Sequence, residues 1–329
     1  MESAVQPALI GLDWGTSSLR AYLFAADGSV IDSVAKPWGI QHLPAGGFEA
    51  AFQGVVEVWR RQRADLPTVA AGMVGSRQGW REVPYVDAPA DAEAIARGLL
   101  ACDSPVGRIH ILPGVIQRGP LPNVLRGEET QIVGALSLEP ALAAESLIVL
   151  PGSHAKWVRI RDGRIVGFAT FMTGELFAVL RDRSLLGRPA REAAADTIDT
   201  AAKAAAFARG LAIARESGPE GIAGRLFTAR SLYLTGELPP AATLDYLSGL
   251  LVGEEIRSAV AGQFGRPLLP VVLIGDEMLC GRYQKSLAAF GLTQARVFGD
   301  SAAAGLWEIA CRAGLVSAAR HASGSATHG

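Results

Sequence analysis

The chain has 329 residues, 49% of them apolar, and its 31 basic and 32 acidic side chains leave a formal charge of −1. That length holds one large or two ordinary domains around a substantial core. Near-neutral charge, with both signs interspersed, leaves no footprint for nucleic acid or for an anionic membrane surface.

Taken in chain order, the N-terminal "MESAVQPA" has neither a basic n-region nor a long apolar h-region, so no secretory signal is expected. Strand-like runs are expected at 9–12, 19–24, 69–74, 109–112, 146–150, 156–160, 165–171 and 270–274. Helical patterns lie between them at 50–64, 128–138, 193–215, 241–261, 282–290 and 301–313, so the fold class is α/β. "SLIVL" at 146–150 and "LLPVVLIG" at 268–275 are far shorter than the ~20 residues of a membrane span and read as buried strands. The Ala-rich helix at 204–215 reads as scaffold, and the small polar tail, 316–329, as disordered. Cys102, Cys280 and Cys311 are odd in number and widely spaced, which fits neither a disulfide framework nor a zinc pair. A reducing, cytoplasmic setting is the simplest expectation.

One internal similarity organises the rest. "LIGLDWGTSSLRAYLFAADGSVI" from Leu9 and "LIVLPGSHAKWVRIRDGRIV" from Leu147 share a plan of strand, glycine turn, strand, Asp-Gly turn and strand. The Asp-Gly pairs, Asp27-Gly28 and Asp162-Gly163, are hairpin signals. Two such hairpins suggest two related α/β domains facing one another, 1–137 and 138–315, with the last helix free to pack back on the first. Chance likeness between two ordinary hairpins is the alternative.

The turns suit anion chemistry. Gly15, Thr16, Ser17 and Ser18 allow backbone N–H groups and hydroxyls to approach a phosphate closely. Asp13, ending the first strand, is placed to hold Mg²⁺, usually through water, and Arg20 adds fixed charge. A plain loop with Asp as turn former is the alternative. In the second copy Ser153, His154 and Lys156 follow Gly152, and a strand over 154–158 would put His154 and Lys156 on one face. Adjacent Ser153 and His154 would then diverge, against a nucleophile pair. A structural histidine and a solvated lysine are the alternatives. Neither a G-x-x-x-x-G-K-[ST] nor a strand-linked G-x-G-x-x-G occurs.

In "PNVLRGEETQIVGAL", a helix starting near Glu128 carries Ile132, Val133 and Leu136 as its apolar stripe, with Glu129 along the middle and Glu128 at the edge. Either the stripe has not begun and these acids favour the helix N-terminus, or a carboxylate lines a cleft and takes a proton from a substrate hydroxyl. The loop "AAGMVGSRQGW", 70–80, ends a strand where open α/β sheets bind ligands. It carries Ser76, Arg77, Gln78 and Trp80, and Arg77 or Arg126 is suited to grip a carboxylate. The strand, turn and helix at 271–287 would pack an adenosine near Gly275.

These residues resemble a known family. "GLDWGTSSLRAYLF" is similar to the first phosphate hairpin of sugar kinases in the actin, hexokinase and Hsp70 superfamily. With "AGMVGSRQGW", "RGEETQIVGAL", "PGSHAKWV", "MTGEL", "SGLLVGEEI" and "RYQKSL" in this order, the chain resembles the 2-dehydro-3-deoxygalactonokinase family from about Leu9 to Leu315. The resemblance implies two RNase H-like, actin-like ATPase domains with mixed sheets around an ATP and substrate cleft. It also implies transfer of the γ-phosphoryl group of ATP, with Mg²⁺, to the 6-hydroxyl of 2-dehydro-3-deoxy-D-galactonate, in galactonate catabolism.

By position it would make Asp13 the metal residue, Gly15 to Ser18 and Gly152 to Lys156 the phosphate contacts, and Glu129 or Glu128 the base. Glu stands where related sugar kinases carry Asp, which leaves the choice between the two open. The segment around Gly275 lacks the superfamily's double glycine. The rival expectations are a same-fold kinase for another sugar or sugar acid, such as 2-dehydro-3-deoxygluconate, an actin- or Hsp70-like ATPase, and a sugar-acid sensor without turnover. The expected partners are the small-molecule sugar acid and ATP, with no nucleic acid and no membrane; a homodimer is left open.

Overall fold

The structure, a computed structural model, describes residues 6–193, 199–262, 264–265 and 269–316. Positions 317–329 of the expected disordered tail, and 194–198 of the helix expected at 193–215, lie outside the described residues. The chain divides into two compact units. The first runs to Ala144 and includes Asp162–Val166 and the chain from Asp300; the second is Glu145–Arg161 with Gly167–Gly299.

In the first unit β1 (Pro7–Trp14) is buried along most of its length, as a strand covered on both faces must be. It turns into β2 (Leu19–Ala25) and then β3 (Val30–Lys36). Helix α1 (Gly47–Gln62) buries Phe52, Val55, Val56 and Trp59 as one stripe. After it come β4 (Thr68–Gly72), β5 (Val86–Asp87), α2 (Ala92–Arg97), β6 (Leu100–Cys102) and β7 (Ile109–Ile111). The series ends with β8 (Val115–Gln117), β9 (Asn123–Leu125) and α3 (Glu128–Leu138). The main sheet has the order β3-β2-β1-β4-β7-β6, with β1, β4 and β7 parallel and the other pairs antiparallel. A small sheet has the order β5-β8-β9.

The second unit holds β10 (Glu145–Leu150), β11 (Ala155–Arg161) and most of β12 (Arg164–Phe171). Asp162 and Gly163, between β11 and β12, have φ of 50° and 70°, the left-handed pair that a two-residue type I′ hairpin requires. Then follow α4 (Thr173–Arg183), α5 (Arg188–Glu192), α6 (Thr200–Arg215), α7 (Thr228–Leu234), α8 (Thr243–Ala261), β13 (Val271–Leu273), α9 (Glu277–Ala289) and β14 (Arg296–Val297). The sheet order is β12-β11-β10-β13-β14, with β10, β13 and β14 parallel. This is the plan of the first sheet again: a central strand with a hairpin partner on one side and parallel strands on the other. The likeness between the two hairpin sequences therefore extends to topology. The last helix, α10 (Ala302–Arg312), belongs to the first unit. It packs closely on α3, where a Cβ on Gly134 would stand 1.9 Å from the Ser301 carbonyl.

Three expectations need correction. The strand expected to reach 74 stops at Gly72, whose φ of 96° breaks the extended run before a 3-10 turn over Met73–Gly75. The helix expected from 193 has its described start at Thr200, where the Asp199 carboxylate accepts from Ala202 N at 2.9 Å. The strand expected from 154 starts at Ala155. Five very short strands and the helices α2, α4, α5 and α7 were not expected, because two to eleven residues give little periodicity to read. Among the described residues no helix is long and apolar enough to cross a membrane.

Candidate active site

In the first unit, adjacent parallel strands β1 and β4 end in register, Trp14 beside Gly72. The Gly15–Ser18 turn and the 73–80 loop therefore leave the same edge of the sheet, where open α/β folds receive ligands. Gly15 N donates to Ser18 O at 2.9 Å, and the loop after β3 braces the turn from behind. Ile40 N donates to Gly15 O at 3.1 Å, Gln41 N to Thr16 O at 3.2 Å, and Trp14 Nε1 to Trp38 O at 2.8 Å. Gly39 lies so close that a Cβ there would stand 2.2 Å from Thr16 O. With these carbonyls bonded inward, Thr16, Ser17 and Ser18 are exposed to solvent.

Asp13, partly buried, pairs with Arg20 across the hairpin, and Arg20 Nη1 donates to Asp300 Oδ2 at 3.2 Å. Asp300 Oδ1 also accepts from Ala302 N at 2.9 Å at the start of α10. Burial raises the Asp13 carboxyl to about 6, Arg20 opposes this, and the charges of Asp300 and Glu128 add to it. A carboxylate held up by burial and by two neighbours of like charge is a position that a divalent cation stabilises, so these residues fit Mg²⁺. Among the described residues no cluster of three or more His, Cys, Asp or Glu side chains is built to bind a metal directly. Asp300 was missed in the sequence, although "GDSAAAG" at 299–305 sets an acid before a small-residue helix start.

The start of α3 resolves the two glutamates into different environments. Glu129 is fully buried, on the apolar stripe itself, and neither lines an open cleft nor faces solvent. Both its oxygens turn back to accept from Gly127 N, at 2.9 and 2.8 Å. Burial, then the charge of Glu128, pushes its pKa up to about 8. Glu128 is partly exposed, and its Oε2 accepts from Arg126 N at 2.9 Å.

Beside them the Arg126 guanidinium lies 4.2 Å above the Tyr85 ring and donates from Nη2 to Val83 O at 2.8 Å. Its Nε and Nη1, and the hydroxyls of Ser76 and Thr130, are buried with no hydrogen-bond partner. Arg77 and Gln78 are exposed. Trp80 stacks on Phe48 at 6.0 Å and meets Trp14 and Phe52 edge-on, so its ring wedges the loop against the core.

In the second unit β10 and β13 are likewise adjacent and parallel. The turn at Gly152 and Ser153 follows β10, and Gly275 follows β13, with φ of 142° and its Cβ direction 3.6 Å from Pro151 O. Asp276 caps α9 by accepting from Leu279 N at 2.9 Å. The shared face expected for His154 and Lys156 is not formed. His154 sits in the turn, exposed, with Nε2 against the Glu175 carboxylate. Lys156 is the second residue of β11, is buried rather than solvated, and donates from Nζ to Thr170 Oγ1 at 3.0 Å.

The family model described as 2-keto-3-deoxy-galactonokinase matches residues 13–309. The chain belongs to the 2-keto-3-deoxy-galactonokinase family. An Escherichia coli (strain K12) 2-dehydro-3-deoxygalactonokinase is 36% identical over 308 residues, 92% of this chain and 97% of that one. A Rhizobium meliloti (strain 1021) protein assigned the same activity is 37% identical over 310 residues, 94% of this chain and 95% of the relative. A crystal structure from Sinorhizobium meliloti, assigned as a 2-dehydro-3-deoxygalactonokinase protein, superposes with a TM-score of 0.81 at 35% identity. It covers 92% of this chain and 98% of its own. The family match begins at Asp13, in β1 just before the first turn.

Proposed function

We propose that this chain transfers the γ-phosphoryl group of ATP to the 6-hydroxyl of 2-dehydro-3-deoxy-D-galactonate, releasing the 6-phosphate and ADP. The observation that carries this, in a chain of this kinase family, is the repeated placement of a glycine turn at the carboxyl end of the central strand in each sheet. Phosphoryl transfer asks a protein mainly for positioning and for neutralisation of charge.

In this reading the amides and hydroxyls of Gly15 to Ser18, with Arg20, take phosphate oxygens, and Gly152, Ser153 and His154 do the same in the second unit. Lys156, buried in β11, contributes positive potential rather than contact. Gly275 leaves room for the adenosine. Asp13, with Asp300 beside it, would hold Mg²⁺, which when bound neutralises phosphate charge. Arg126 and Ser76 take the carboxylate end of the sugar acid, with Arg77 and Gln78 at the outer rim and Trp80 holding their loop. Glu128 rather than Glu129 accepts the proton of the 6-hydroxyl, because a base must come within hydrogen-bond reach: Glu128 is partly exposed, whereas both oxygens of buried Glu129 already accept from Gly127 N. Glu129 fixes the Gly127 amide and with it the start of α3.

A coupled ADP-release assay with 2-dehydro-3-deoxy-D-galactonate, its gluconate epimer and neutral hexoses tests the proposal. Turnover with the galactonate well above the rest is expected. ADP released equally without any acceptor would overturn the proposal.

A further inference from the structure

Glu255, in α8, is 2% exposed, and its carboxylate ties together three other elements of the second unit. Trp157 Nε1 of β11 donates to Oε1 at 2.8 Å. Thr173 Oγ1 of α4 and Tyr283 Oη of α9 both donate to Oε2, at 2.5 and 2.7 Å. Burial raises the carboxyl's pKa, and the three donors pull it back. An apolar residue of similar volume would avoid the carboxylate's own desolvation but leave three buried donors without an acceptor. What the carboxylate adds is a single atom, Oε2, that sets the separation between the α4 and α9 hydroxyls.

Each donor belongs to an element that adjoins a segment assigned above to the nucleotide. Thr173 opens α4, and the next residue, Gly174, lies flat on the phosphate turn. A Cβ on Gly174 would stand 2.5 Å from Gly152 O and 2.8 Å from Ser153 Cα. Glu175 N then donates to Ser153 O at 3.0 Å. Trp157 adjoins Lys156 in β11. Tyr283 belongs to α9, the helix that starts two residues after Gly275.

We propose that Glu255 is a positioning residue for nucleotide: one buried carboxylate holds the Gly152–His154 turn and the Gly275 segment in fixed register without touching the ligand. This rests on the ATP reading of the second unit given above. Because α4 packs backbone to backbone on the turn, a shift of Thr173 moves Ser153 with it. Misplacement of a binding group by about an ångström is enough to cost affinity.

The test measures ADP affinity by calorimetry, KM for ATP and for the sugar acid, and the melting temperature. Thr173→Val and Tyr283→Phe each remove one donor at nearly constant shape. Each is expected to weaken ADP binding about tenfold and to raise the KM of ATP, leaving the KM of the sugar acid within about twofold. Glu255→Gln still offers an oxygen to Trp157 and two N–H groups to the hydroxyls, so it is expected to rescue most of the affinity that Glu255→Leu loses.

Wild-type ADP affinity in both single-donor variants would overturn the inference. So would a rise of both KM values in step with a falling melting temperature, which is what a merely structural role predicts. A wild-type protein that binds no ADP removes the ATP reading itself and this inference with it. Wild-type binding with unaltered variants removes this inference alone.

Discussion

Arg20 reaches Asp300 at 3.2 Å while standing directly opposite Asp13 in the β1–β2 pair. One guanidinium thus serves two carboxylates that come from opposite ends of the first unit's chain, and Glu128 adds a third negative charge. The excess of acid over base at the edge of the sheet is the electrostatic reason for expecting a divalent cation there.

Replacing Asp13 separates its stability effect from its function. Its carboxyl is raised from 3.8 to about 6, so the unfolded chain gives up its proton first. Over that interval the folded state binds more protons, and stability falls as pH rises from about 4 to about 6. In metal-free buffer at pH 7 Asp13→Asn should therefore melt higher than the wild type, by the equivalent of up to about 3 kcal/mol, with no gain near pH 4. Turnover with Mg-ATP should drop by on the order of 10²-fold, and chelation of Mg²⁺ should abolish wild-type turnover. Normal turnover in Asp13→Asn would remove this residue from the site.

The two glutamates at the start of α3 should divide cleanly. Glu128→Gln removes the proposed proton acceptor and should lower kcat by about 10²–10⁴-fold with ATP binding intact. Glu129 titrates near 8 when folded and near 4.5 when unfolded, so it erodes stability as pH climbs through that window. Glu129→Gln should remove this loss, raising the melting temperature at pH 8 but not at pH 4, and should keep more activity than Glu128→Gln. A larger loss of kcat in Glu129→Gln would return the base to the buried residue.

The turns and the glutamate pair were legible because they rest on local signals: a glycine-hydroxyl turn after an apolar run, and acids on a helical stripe. What stayed hidden depends on distance along the chain. Asp300 is 280 residues from its partner Arg20, and Glu255 is 98 from Trp157. No local period announces such pairs. Burial is not legible locally either. Lys156 is buried and donates to Thr170, against the alternative of a solvated cation, and Glu129 turns inward onto Gly127, against that of a solvent-exposed acid.

Gly39 offers a test of the first turn that touches none of its own residues. A methyl group there would stand 2.2 Å from Thr16 O and 2.3 Å from Ser17 N, both backbone atoms, so Gly39→Ala must push the turn outward. Overpacking of this kind costs about 1–3 kcal/mol. The expected result is a KM for ATP raised about tenfold or more with the sugar-acid KM little changed. Unchanged ATP kinetics in a folded variant would mean that the turn does not hold phosphate.

Arg126 should read the acid end of the acceptor. Its guanidinium is fixed from two sides, by the Tyr85 ring and the Val83 carbonyl, while Nε and Nη1 have no partner. Two unpaired N–H groups on a guanidinium held in this way offer a carboxylate charge-assisted donors that lysine's single ammonium does not reproduce. Arg126→Lys should therefore raise the KM of the sugar acid by about 10–100-fold, the cost of a lost charge-assisted pair, without altering the KM of ATP. The same change should shrink the preference for the sugar acid over a neutral deoxyhexose, because a neutral acceptor never used the pair. Arg77→Ala, at an exposed position on the loop, should change the sugar-acid KM by less than about threefold. If Arg77→Ala loses the sugar acid and Arg126→Lys keeps it, the carboxylate is gripped at the rim and not beside Tyr85.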